Sequence, residues 1–204
     1  MPASKVLFLG AHDSPLIDWL RAQEGQVIPQ TGKVEPRFVQ QLGCDFLISY
    51  GYRYLLGNDI LDLFPNRAIN LHISYLPWNR GADPNFWSFV DNTPKGVTIH
   101  HLDSGLDTGD IIVQEEMEFD VAKDTLASSY EKLHAEIQDL FKRYWPQIKS
   151  ETAPRMKQPG GGSSHKTSDK EALSHLSTDG WNTNISVLGE YAASTAGKAR
   201  AGDR

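Results

Sequence analysis

Apolar positions in the first half of the chain fall into short runs set between polar stretches. Val6 to Leu9 is a continuous apolar run ending at Gly10, the pattern of a strand buried on both faces. Asp13 or Ser14 is placed to cap a helix with Pro15 at its first position, and Leu16, Ile17, Trp19 and Leu20 give that helix an apolar face. Val27 and Ile28 predict a second short strand, and Phe38, Val39 and Leu42 a second helix closed by Gly43. Asp45 to Tyr50 predicts a third strand. Ile60, Leu61, Leu63 and Phe64 mark a third helix stopped by Pro65, and Ala68 to Ile73 reads as a fourth strand. Strands alternating with helices at this spacing predict an α/β fold whose twisted sheet is mainly parallel and flanked by helices.

The pattern then changes. Ser74 to Arg80 is a loop containing Pro77, Asn85 to Val90 a helix, and Gly96 to Leu102 and Ile111 to Phe119 two strands joined by a Gly- and Asp-rich loop. Asp124 or Thr125 caps a long helix with Leu126, Tyr130, Leu133, Ile137, Leu140, Phe141 and Tyr144 on one face, and Pro146 is expected to end it. After residue 150 the composition shifts toward loop material, with Pro159-Gly-Gly-Gly-Ser-Ser164 and a short helix over Ser168 to Leu176. The expected organisation is a catalytic domain over 1–150 and a short C-terminal extension over 151–204 whose last dozen residues fray.

At 204 residues and 39% apolar content the chain supports one substantial core. The net charge of -6, without a basic stripe, argues against a nucleic-acid duplex partner. The N-terminal apolar run is too short for a signal segment and no stretch approaches a membrane span, so a soluble, cytoplasmic protein with no membrane partner is expected. Cys44 is alone and reads as a small core residue rather than a nucleophile. No pair of histidines has metal-ligand spacing, so no metal is expected.

Asn70 and His72 lie two apart at the end of a predicted central strand and so point to one face. Ligands of open α/β sheets bind beyond the carboxyl ends of strands. Taken alone, an Asn-x-His pair more often marks polar groups satisfied inside a core. Asp103-Ser-Gly-Leu-Asp-Thr-Gly-Asp110 crowds carboxylates into a loop in which Gly105 and Gly109 allow close approach to a ligand. A solvated turn is the plainer reading, and the spacing of a calcium loop is absent.

Taken together, Ala68-Ile-Asn-Leu-His-Ile-Ser-Tyr-Leu-Pro-Trp-Asn-Arg-Gly, Gly96-Val-Thr-Ile-His and Gly105-Leu-Asp-Thr-Gly-Asp-Ile-Ile resemble the folate-dependent formyltransferase family. That family includes glycinamide ribonucleotide transformylases, methionyl-tRNA formyltransferases and sugar N-formyltransferases. The resemblance covers residues 5 to 150 and is densest over 68 to 112. Leu76-Pro-Trp-Asn-Arg-Gly with Pro84-Asn-Phe-Trp is most similar to the sugar N-formyltransferases.

The resemblance implies a Rossmann-like formyltransferase fold with Asn70, His72 and Asp107 as catalytic residues. It implies 10-formyl-tetrahydrofolate as co-substrate and a primary amine, best guessed as a nucleotide-linked amino sugar, as acceptor. In these roles Asn70 would donate to the oxyanion and His72 would move protons. Asp107 would orient His72, favour its charged form, or hold a bridging water. The folate would meet the backbone of Tyr54 and Leu56 on one side and Leu102, Asp103 and Gly105 on the other. Packing at the strand end is an equally good reading of the tyrosines.

Trp78, Asn79 and Arg80, with Trp87, would line the acceptor side, and Leu76-Pro77 would be a cis bond. His100 would stand behind the reacting residues, with His101 facing away as a structural residue. Gly10-Ala-His-Asp-Ser is neither the phosphate-binding glycine loop of the glycinamide ribonucleotide enzymes nor a dinucleotide fingerprint, which disfavours that acceptor and NAD. The β-barrel of the tRNA enzymes does not fit in the residues after 150, which disfavours initiator tRNA. A formyl-tetrahydrofolate hydrolase and a non-catalytic folate- or nucleotide-binding module are the alternatives. A homodimer is left open.

Overall fold

A computed structural model of the chain describes residues 4–201, with side chains through 195. Residues 1–3 of the N-terminal reading and 202–204 of the expected frayed end lie outside the described residues. The elements are β1 (Lys5–Gly10), α1 (Pro15–Glu24), β2 (Gln26–Gln30), α2 (Pro36–Leu42), β3 (Phe46–Tyr50), α3 (Asn58–Leu61) and β4 (Ala68–His72). There follow β5 (Arg80–Gly81), α4 (Pro84–Val90), β6 (Gly96–His101), β7 (Ile111–Glu116), α5 (Leu126–Lys149), β8 (Ser164–His165), a 3-10 segment (Thr167–Ser177) and α6 (Ile185–Ala201). A six-stranded sheet has the order β2-β1-β3-β4-β6-β7. β1 runs parallel to β2 and β3, β3 runs parallel to β4, and β4 pairs with β6 in the antiparallel sense. The α/β fold is therefore as expected, with one reversal in the sheet.

The chain divides into two units. The first comprises 1–72, 98–113 and 138–158. Its central strands are buried along their length because each face meets a helix layer. On one face Leu7, Leu9 and Leu47 pack with Val39, Ile60 and Phe64. On the other, Phe46 meets Trp145 edge-on at 5.0 Å, and Trp19 meets Phe141 at 5.9 Å. Pro15 opens α1 at its first position after Ser14, and Gly43 closes α2 in the left-handed conformation, both as the sequence predicts.

The second unit comprises 73–97, 114–137 and 159–204. Its core gathers Phe86, Trp87, Phe89 and Val90 of α4 with Leu126, Leu176, Ile185 and Leu188. Thr125 is the cap of α5: its Oγ1 accepts from Ser128 N while Ser128 Oγ accepts from Thr125 N. The residues expected as a loop-like tail are bound into this unit. Leu126 N donates to Thr183 O, and Ile185 N donates to Asp124 O.

One expectation is corrected here. α5 does not stop at Pro146 but continues to Lys149. Burial of Trp145 and Ile148 offsets the hydrogen bond that proline removes. α6 extends to Ala201, and among its described side chains Ile185, Leu188 and Ala192 are buried. Among the described residues no helix is long and apolar enough to cross a membrane.

Glu24, 3% exposed at the end of α1, accepts hydrogen bonds from Trp145 Nε1 at 2.8 Å and from Lys149 Nζ. Burial works to raise its pKa, but the bonds from Lys149 and Trp145 outweigh it and hold the carboxyl below its ordinary value. Glu24→Ala would leave both donors without their acceptor. We expect it to cost about 3 kcal/mol of unfolding free energy, read from urea denaturation, with the slope unchanged.

Candidate active site

β4 is central in the sheet, and its alternation sends Asn70 and His72 to one face. Both are nearly closed to solvent, at 9% and 7% exposure. The antiparallel register places His100 of β6 directly opposite Asn70. The loop after β6 returns Asp107 to the same place. Asn70 Nδ2 donates to Asp107 Oδ1 at 3.1 Å and lies 3.2 Å from His100 Nε2. His72 Nε2 is 3.7 Å from Asp107 Oδ2, and His100 Nε2 is 3.5 Å from Asp107 Oδ1. The structure thus brings together the three residues singled out in the sequence and adds His100 as their direct neighbour.

The hydrogen-bond directions follow from chemistry. His100 Nδ1 lies 2.8 Å from the His101 carbonyl oxygen, which can only accept, so Nδ1 carries a proton. In the neutral ring Nε2 is then an acceptor, and it receives one amide hydrogen of Asn70. The Asp107 carboxylate receives the other. Both hydrogens of Nδ2 are thus bonded within the site.

The loop has its own supports. A Cβ on Gly109 would lie 1.8 Å from the His101 carbonyl oxygen, so only glycine allows this approach. The close approach of Gly109 is to the chain's own backbone. Asp107 has a positive φ of 53°, and Gln158 Nε2 donates to the carbonyls of Asp107 and Gly109. Asp103 accepts from Gly105 N and Thr108 Oγ1, and Asp110 accepts from Arg155 Nε at 2.8 Å.

Leu102 and Asp103, expected at the folate, line a cavity of about 240 Å³ together with Leu61, Phe64, Ala68 and Arg155. Tyr54, Leu56 and Gly105 are not on its wall: Leu56 is packed into the apolar cluster and Tyr54 is exposed. In the sequence Leu61 and Phe64 carry a helix signal only, and nothing marks Arg155. Tyr50 and Tyr52 are held in structural bonds. Tyr50 Oη accepts from Gln138, and Tyr52 Oη donates to Gly32 O and accepts from Val34 N.

In the second unit Leu76-Pro77 is cis. Asn79, expected beside the acceptor, is 0% exposed. Its Nδ2 donates to Thr93 Oγ1 and its Oδ1 accepts from Ser163 Oγ, so it braces the loop instead. Trp78 and Arg80 remain half-buried. Trp87 is buried and stacked on His165 at 3.9 Å.

His101 Nδ1 is buried without a hydrogen-bond partner. Burial, then Arg155, push its pKa down to about 4, against the partial opposition of Asp110. The unfolded chain therefore binds this proton more readily than the folded one. Stability is full above about 6.5, falls as pH drops from there toward 4, and is wholly lost for this group below 4. His101→Gln should flatten that part of the wild-type stability curve when urea midpoints are compared between pH 7 and 4. Parallel curves would show that His101 does not titrate in this way.

The family described as formyl transferase matches residues 32–143. The structure aligns with the formyltransferase PseJ from Anoxybacillus kamchatkensis, solved in complex with UDP-4,6-dideoxy-4-formamido-L-AltNAc and tetrahydrofolate. That match has a TM-score of 0.88 and 49% identity, over 92% of this chain and 99% of the other. A 4-N formyltransferase from Francisella tularensis shares the fold at a TM-score of 0.73 and 21% identity, over 92% and 87% of the two chains. Methionyl-tRNA formyltransferase of Ruminiclostridium cellulolyticum is 37% identical over 110 residues, which is 52% of this chain and 35% of that protein. The chain spans about a third of the length of the curated relatives it matches.

Proposed function

The chain belongs to the formyl transferase family, and from that premise we propose that it is a cytoplasmic enzyme moving a formyl group from 10-formyl-tetrahydrofolate to the primary amine of a nucleotide-linked amino sugar. The observation that carries the chemistry is the convergence of Asn70, His72 and Asp107 at the end of β4. What favours the acceptor is 49% identity, over nearly the whole of both chains, to a formyltransferase solved with a UDP-linked formamido sugar.

On this reading the amine nitrogen forms a bond to the formyl carbon, and the carbonyl electron pair moves onto oxygen. Asn70 Oδ1 accepts an N–H of the amine and aims its lone pair. His72, in its protonated form, donates to the oxyanion and then gives its proton to the departing folate nitrogen as the old carbon–nitrogen bond breaks. The proton lost by the amine passes to Asp107 and back to His72. At 3.7 Å the two side chains need a water or a small movement to complete that transfer. The products are a formamide and tetrahydrofolate, and no proton is left over. The folate is assigned to the backbone of Tyr54 and Leu56 on one side and to Leu102, Asp103 and Gly105 on the other, the positions that the family resemblance implies. Trp78 and Arg80 are assigned to the acceptor.

Asn70→Ala, His72→Ala and Asp107→Ala should each lower turnover by about a hundredfold or more with folding retained. Near-normal turnover in one purified variant removes that residue from the mechanism. A reduced folate such as 5-formyl-tetrahydrofolate should raise the melting temperature, whereas NAD should not. Folate release should require an amine. Equal release without one would identify a hydrolase, and formylation of charged initiator tRNA in preference to amino-sugar nucleotides would overturn the acceptor.

A further inference from the structure

Residues 151–158 follow the stretch 32–143 that matches the family, and they run back along the loop that carries Asp107. Ile111 N donates to Met156 O at 2.7 Å and Met156 N donates to Ile111 O at 2.9 Å, a pair of bonds between antiparallel backbones. Arg155 adds a bond from Nε to Asp110 Oδ2 and one from Nη1 to Asn66 Oδ1, each at 2.8 Å. Continued along both backbones, the same register sets Gln158 opposite Gly109. There Gln158 Nε2 donates to Asp107 O at 2.8 Å and to Gly109 O at 2.9 Å. Resting on the role proposed for Asp107, we infer that Gln158 is a positioning residue for formyl transfer, holding the backbone from which the Asp107 carboxylate is aimed at Asn70 and His72.

The backbone at Asp107 needs such a hold. Its φ of 53° is left-handed, a conformation that a residue with a side chain enters at a cost and keeps only where its surroundings fix it. Within the loop Asp103 accepts from Gly105 N and from Thr108 Oγ1. Those bonds set Thr108 but do not involve the carbonyls on either side of it. These two carbonyls turn toward one nitrogen instead. Carbonyl oxygens that share a direction repel each other, and a side-chain amide with two hydrogens satisfies both at once.

The carbonyl and the carboxylate of Asp107 hang on the same Cα. Fixing where the carbonyl points therefore fixes where Cβ points. The carboxylate follows: its Oδ1 accepts from Asn70 Nδ2 at 3.1 Å, and its Oδ2 lies 3.7 Å from His72 Nε2. A displacement of about 1 Å in a reacting group can cost about a hundredfold in rate.

The test is steady-state kinetics of the full chain with 10-formyl-tetrahydrofolate and a UDP-linked amino sugar. The proteins are wild type, Gln158→Met, Asp107→Ala and the double variant, with circular dichroism to check folding. Met keeps the length of the side chain and removes both hydrogens. Gln158→Met should lower kcat by about tenfold or more and leave KM for the amino sugar within about twofold. In the Asp107→Ala background the same change should lower kcat by less than about twofold, because no carboxylate is left to aim. A residue that only stabilises the fold would cost the same factor in both backgrounds, and that result would overturn the inference. Gln158→Glu, of the same shape without the hydrogens, should behave as Gln158→Met does. Wild-type kcat in either variant would also overturn it, while loss of turnover in Asp107→Ala would leave the transferase reading standing. Near-normal turnover in Asp107→Ala would overturn the role of Asp107 and this inference together. Hydrogen exchange over residues 102–110 requires no acceptor and should be about tenfold faster in Gln158→Met. Unchanged exchange there would show that Gln158 does not hold the loop.

Discussion

Asn70 Nδ2 has two hydrogens, and the polar centre of the first unit is arranged around where they go. One meets His100 Nε2 and the other Asp107 Oδ1, in a place almost closed to water. Leaving either bond unmade there would cost about 1–3 kcal/mol. The two bonds therefore fix each other's partners. They require His100 to hold its proton on Nδ1, which the His101 carbonyl ensures, and they require the Asp107 loop to stay folded over β4. A side chain that needs two acceptors in fixed directions rigidifies its neighbours, and His72 stands beside a carboxylate whose position is already set.

The reversal in the sheet explains why a loop has to do this work. β6 runs antiparallel to β4, so its last residues lie beside the beginning of β4: Ile69 pairs with His101 and His72 with Thr98. The chain leaves β6 at the end of β4 opposite to His72. To place a carboxylate by His72 it must turn back along the sheet. Gly109 lets the returning segment lie against the backbone it has just left, and Gln158 fastens it by two carbonyls. The carboxylates of Asp103 and Asp110 are spent on Thr108 and Arg155, which leaves Asp107 as the one of the three directed at β4.

The strands of the six-stranded sheet and their order of appearance were legible in the sequence because continuous apolar runs bounded by Gly or Pro have few other readings, whereas β5 and β8 read as loop. The pairing of Asn70 with His72 was legible for the same reason, since alternation in a strand is geometric. Other features depended on tertiary contacts that no local pattern encodes. Pro146 carries a strong stop signal, yet Trp145 and Ile148 are packed and the helix continues past it. α6 buries Ile185, Leu188 and Ala192, a helical spacing diluted by Gly189, Ser and Thr. Asn79 reads as a polar loop residue but is buried, because its partners Thr93 and Ser163 are distant in sequence. The orientation of the Asn70 amide depends on His100, thirty residues away, and could be found only once the strand register was known.

The residues after 150 show how composition can mislead about role. The glycine run 160–162 has the look of a linker, but Gly162 sits with a φ of 94°, and a Cβ there would meet the Pro77 carbonyl oxygen at 2.1 Å. Only a chain without side chains can lie so close. Ser163 then bonds Asn79 and Arg80 through its hydroxyl and carbonyl, and β8 pairs with β5. The loop following the cis bond is thus built from two stretches of sequence: 76–82 supplies its course and 162–165 holds it there. Glycine here serves contact rather than flexibility, and the loop bearing Trp78 and Arg80 depends on the extension as much as on its own residues.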